Sequence, residues 1–181
     1  MNKVSMSASL LAVLGSVGIA QSATTGTINF TGEITSSTCD VSINGGGTNG
    51  TVALPTVTRS QLSTTGETAG ITSFTVDLNE CEGVLKTASV FFESGSSVDP
   101  LSGRLKNIGG SAQQVSLQLR DLGSSARSVI EAGNQNQVQE TTYLPLDSGS
   151  INLPYAVEYY SEGSASAGTV ISNAVYSIQY K

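Results

Sequence analysis

Histidine and tryptophan are missing from this 181-residue chain, and charge is scarce, with Asp, Glu, Lys and Arg making up 12% of residues. Each shortage excludes chemistry. Without His there is no Ser-His-Asp or Cys-His nucleophile system, no histidine-ligated zinc and no imidazole acid–base group. The 8 basic residues are outnumbered by 14 acidic ones, for a formal net charge of −6, so no basic footprint exists for nucleic acid. Charge this sparse beside 38% hydrophobic residues also excludes a disordered chain. What is plentiful is 20 Gly, with Ser and Thr at about a quarter of positions, a usage that suits strands and turns. The length fits one domain with a short appendage. Together these features describe a β-rich, non-catalytic domain with no cofactor or metal.

The N-terminus reads as a leader rather than as part of the fold. Lys3 precedes an apolar run, Leu10-Leu11-Ala12-Val13-Leu14 with Val17 and Ile19, and small residues follow at Gly18, Ala20, Ser22 and Ala23. This is the pattern of a secretory signal peptide over 1–23, with cleavage after Ala20, Ser22 or Ala23 all compatible. No other stretch has the apolar length of a membrane span. Cys39 and Cys81 are the only cysteines, and an even pair in an exported chain reads as a disulfide; two buried thiols are the alternative.

Strict alternation dominates the remainder. It is visible in Ile28, Phe30 and Ile34; in Phe74, Val76 and Leu78; in Val115, Leu117 and Leu119; in Leu153, Tyr155, Val157 and Tyr159; and in Ala174, Tyr176, Ile178 and Tyr180. A period of two means strands with one buried face. Val84–Phe92 is a longer apolar run suited to a central strand. Turn clusters such as Asn44-Gly45-Gly46-Gly47 and Asn107-Ile108-Gly109-Gly110 separate these segments, and no window carries a helical stripe. The expected fold is an all-β sandwich.

Three features imitate sites. Gly45-Gly46-Gly47-Thr48-Asn49-Gly50 has the letters of a dinucleotide fingerprint, but the next residues, Thr51–Pro55, are strand-like rather than a helix start, so a hairpin loop is expected. Asp77, Glu80 and Glu82 surround Cys81, yet Asp77 belongs to the polar face of its strand and the others to its end, which gives a solvated rim rather than a cation site. Asn29-Phe30-Thr31 and Asn49-Gly50-Thr51 match a glycosylation pattern too short to carry weight.

The informative constellation joins the two ends of the chain. Thr27-Ile28-Asn29-Phe30-Thr31-Gly32-Glu33-Ile34 alternates, but its apolar face holds a glycine, which in a strand costs stability and marks close backbone approach. Near the C-terminus stand Gly168 and the penultimate Tyr180, with Tyr176 and Ile178 on the same parity. With the Cys39 and Cys81 spacing and Phe74-x-x-x-Leu78-x-x-Cys81, this set resembles the pilin family of the bacterial chaperone–usher pathway, in particular its type 1-like major subunits. The resemblance implies an incomplete immunoglobulin-like sandwich lacking its last strand, completed by a strand from a chaperone or a neighbouring subunit. It implies an N-terminal donor-strand extension at 24–38 and a pilin domain at 39–181. The donor positions would be Ile28, Phe30, Gly32 and Ile34, and the C-terminal strand read by the chaperone would carry Gly168, Tyr176, Ile178 and Tyr180. The implied partners are a periplasmic pilus chaperone, an outer-membrane usher and other copies of this chain or related pilins, with no nucleic acid. The implied location is a cell-surface fimbrium reached through the periplasm. A pilus shaft subunit that supports cell adhesion is the expected function, with a minor or tip subunit, or a secreted β-sandwich adhesion module, as the alternative.

Overall fold

The computed structural model describes residues 26–32, 34, 38–84, 86–146 and 149–181. The leader at 1–23 lies outside the described residues, as do positions 24, 25, 33 and 35–37 of the extension. The chain divides into two units, 1–33 and 34–181. In the first, residues 26–32 are exposed and carry no strand assignment, with Ile28 at 76% and Phe30 at 88% exposure.

The second unit is built from strands. They are β1 (Thr38–Ile43), β2 (Thr68–Glu82), β3 (Thr87–Phe92), β4 (Leu105–Lys106), β5 (Val115–Asp121), β6 (Val129–Ile130), β7 (Leu144–Pro145), β8 (Ile151–Ser161) and β9 (Tyr176–Tyr180). Among the described residues, helix is confined to one turn, α1 (Gln137–Glu140), and a 3-10 turn at Arg59–Leu62. The larger sheet runs β1-β2-β8-β5-β4, with β6 also on β5, and the smaller runs β7-β3-β9. Every pairing is antiparallel. The alternating apolar residues meet between the sheets: Phe74, Val76 and Leu78 from β2, Leu117 and Leu119 from β5, and Leu153, Tyr155 and Val157 from β8 pack on Ala88, Val90 and Phe92 of β3. The Tyr155 ring stands edge-on to Phe92 at 5.3 Å between centroids. Cys39 and Cys81 are joined, so the disulfide ties β1 to the end of β2.

Two expectations change. β3 begins at Thr87 rather than Val84, and Val84 is exposed. Asp77 is buried rather than solvated, because the turn after β1 folds over it and its Oδ2 accepts the Gly45 N–H at 2.8 Å. Glu80 and Glu82 are exposed at the strand end as expected.

Candidate strand-acceptor groove

The smaller sheet has two edges, and they are treated differently. On the β7 side, β3 meets β7 only at Thr87 and Ala88, but side chains complete the edge. The Tyr155 hydroxyl accepts the Val90 N–H at 2.9 Å, while the Gln137 amide accepts the Phe92 N–H and donates to the Phe92 carbonyl, both at 3.0 Å. A buried main-chain group without a partner costs about as much as a lost hydrogen bond, so these contacts seal that edge.

The β9 edge is not sealed. Thr87 and Lys181 exchange both main-chain hydrogen bonds. Antiparallel alternation then directs the main-chain groups of Ser177 and Gln179 toward β3, and those of Tyr176, Ile178 and Tyr180 away from it. Among the described residues no strand lies on that outer side. Across the gap runs the segment 51–57, which belongs to no strand and makes no main-chain hydrogen bond to another described residue. Val52, Leu54 and Val57 are its half-buried residues, so it is packed by side chains. The Thr51–Pro55 stretch, read from sequence as strand-like, therefore carries no strand.

Between these two unpaired edges lies an apolar groove with two cavities. One, of about 330 Å³, lies between Val52 and Leu54 on one side and Ser172, Ala174 and Tyr176 on the other, over a floor that includes Phe74, Leu117, Leu119 and Val157. The second, of about 490 Å³, is lined by Val57, Arg59, Leu62, Val115, Ala165 and the stretch Gly168–Ile171. Arg59 is the only charged residue among those lining either cavity. The phenols beside the groove are equally unsuited to charge, since burial raises the pKa of Tyr159 and of Tyr176. Such a surface offers dispersion contacts and main-chain pairing and no polar reaction centre.

Of the C-terminal residues singled out by sequence, Gly168 and Tyr176 line the two cavities, and Ile178 and Tyr180 do not. Gly168 lines the larger cavity and has φ +155; a Cβ there would lie 2.5 Å from the Ala112 nitrogen and 2.7 Å from Ser111 Oγ. Only glycine fits that approach. Asn107 holds the same wall, accepting the Ile171 N–H at 2.9 Å and donating to the Thr169 carbonyl at 3.1 Å. Tyr176 spans from β9 to the loop after β1, its hydroxyl donating to the Thr48 carbonyl at 2.8 Å. Ile178 and Tyr180 pack on the core, and Tyr180 lies beside Cys39 and Cys81, where burial raises its pKa. At the other end of the chain, Ile28, Phe30 and Ile34 are exposed, and a Cβ on Gly32 would meet nothing within 4 Å.

Sequence reasoning placed Phe74, Leu117, Leu119 and Val157 in the core but did not identify them as a groove floor. It also missed Asn107, whose role depends on contacts with Thr169 and Ile171, distant in sequence.

Comparison with known proteins agrees with this architecture. Residues 54–181 match the family model described as FimA, type-1 fimbrial protein A. The major fimbrial subunit SMF-1 of Stenotrophomonas maltophilia is 35% identical over 171 residues, covering 93% of this chain and 99% of that protein. The F17 fimbrial protein of Escherichia coli is 32% identical over 178 residues, covering 93% and 97%. The crystal structure of the P pilus rod subunit PapA shares the fold, with a TM-score of 0.58 over 78% of this chain and 99% of that one, at 15% identity.

Proposed function

The chain belongs to the type-1 fimbrial protein family and is a non-enzymatic structural subunit of a surface fimbria; on that premise we propose that it polymerises by donor-strand exchange. The N-terminal segment of one copy, with Ile28, Phe30, Gly32 and Ile34 facing inward, enters the groove of the next and completes its sandwich. The observation that carries this reading is the pair of unpaired edges, 51–57 and β9, flanking an apolar floor in a chain whose own alternating segment is exposed. Strand addition of this kind draws affinity from main-chain hydrogen bonds and specificity from pockets for alternate side chains. Burial of Ile28, Phe30 and Ile34 contributes about 1.5–3 kcal/mol each, and each main-chain hydrogen bond adds about 1 kcal/mol.

Before assembly the same edge needs a cover, because an exposed apolar edge strand is an aggregation hazard. A periplasmic chaperone lending a strand along Tyr176, Ile178 and Tyr180 supplies it, and an outer-membrane usher then presents the subunit to the growing fibre. The route runs through the periplasm to the cell surface, and the subunit takes the repeating shaft position.

Gly32→Asn tests the assignment. The free chain has open space at Gly32, so the added side chain leaves the subunit's own fold unchanged. The variant is expected to accept a strand but not to donate one, and a culture expressing it alone should yield no extended fibres by electron microscopy. Fibres of normal length would refute the donor assignment.

A further inference from the structure

Ser172 stands apart from its neighbours on the groove wall. Its hydroxyl oxygen is buried and has no hydrogen-bond partner among the described residues. Nearby groups on that wall are satisfied: Ile171 donates to Asn107, Asn173 Oδ1 accepts from Ser97 Oγ at 3.1 Å, and Tyr176 donates to Thr48. A hydroxyl carries one donor and two acceptor sites, and burying it unpaired is unfavourable. Ser172 also marks a boundary, since it lines the smaller cavity and directly follows Ile171, the last residue that lines the larger one.

The incoming segment has a matching boundary. Phe30 and Ile34 are large, and Gly32 lies midway between them, with about 13 Å separating the two large residues along an extended strand. Two cavities separated by Ser172 correspond to two large side chains separated by a glycine. Opposite Phe30 or Ile34, a side chain would stand between the hydroxyl and the incoming main chain. Opposite Gly32 nothing intervenes.

We infer that Ser172 is a specificity-determining residue of the groove, its hydroxyl hydrogen-bonding to the main chain of Gly32 from a second copy. This rests on the groove being the strand acceptor proposed above. It gives the glycine a polar role beside the steric one: a bulkier residue at that position would both crowd the wall and seal the hydroxyl away unpaired.

The test uses the full chain with a fluorescent synthetic peptide of residues 24–35. Ser172→Ala is expected to weaken peptide binding about five- to tenfold. The thermal midpoint of the unoccupied chain should stay the same or rise, because an unpaired buried hydroxyl has been removed. A purely structural role would move both readouts downward together, and that result overturns the inference, as does unchanged affinity. If the wild-type chain fails to bind the peptide, the groove assignment fails and this inference falls with it. Normal wild-type binding with unchanged Ser172→Ala affinity overturns the role of Ser172 alone.

Discussion

Truncating Phe30 to alanine separates the free subunit from the assembled one. In the free chain Phe30 is 88% exposed, so its removal leaves the folded unit without a lost contact. In the fibre its ring would fill the cavity of about 330 Å³ over Phe74, Leu117, Leu119 and Val157. An aromatic side chain buries about 150–250 Å², worth about 4–6 kcal/mol at about 25 cal/mol per Å². Alanine keeps part of that, and buried Phe→Ala changes cost about 3–5 kcal/mol. At about 1.4 kcal/mol per decade, affinity should fall by about two to three and a half orders of magnitude. Fluorescence anisotropy with peptides of residues 24–35, with and without Phe30→Ala, reads the affinity; differential scanning calorimetry of the full-length variant reads the free subunit. The reasoning is refuted by a peptide affinity within about threefold of the parent, or by a lowered midpoint in the unassembled variant.

Two further substitutions probe the scaffold. Cys39→Ser opens a disulfide that closes a separation of 42 residues, for which chain entropy gives about 4 kcal/mol, so little folded subunit should accumulate; wild-type levels on a non-reducing gel would contradict this. Gly168→Ala forces a Cβ to within 2.5 Å of the Ala112 nitrogen, so the wall of the larger cavity must shift, and peptide binding should weaken more than the core melts; equal effects on both would argue against a groove-specific role.

Much of the sandwich was legible because alternation survives in sequence: Phe74-Val76-Leu78 and Leu153-Tyr155-Val157 name their own buried faces. The groove was less legible, for a physical reason. A missing strand leaves no residues behind, so Leu117 and Leu119 read as ordinary core, and only the order of the strands shows which edge lacks a partner. Gly32 and Gly168 stood out by type, but the contact that requires glycine at 168 comes from Ser111 and Ala112, far away in the chain. Asp77 was misjudged because parity along β2 cannot reveal that the turn at Gly45 closes over it.

The most direct test of the strand-acceptor account is the thermal midpoint of a chain beginning at Thr38, refolded with its disulfide intact, with and without saturating peptide of residues 24–35. At a thousandfold excess over Kd the bound strand adds about 4 kcal/mol, which for a domain of this size raises the midpoint by about 8–16 °C. A rise in that range, absent with a peptide carrying Gly32→Asn, is the result the open groove requires. An unchanged midpoint at saturating peptide would contradict it.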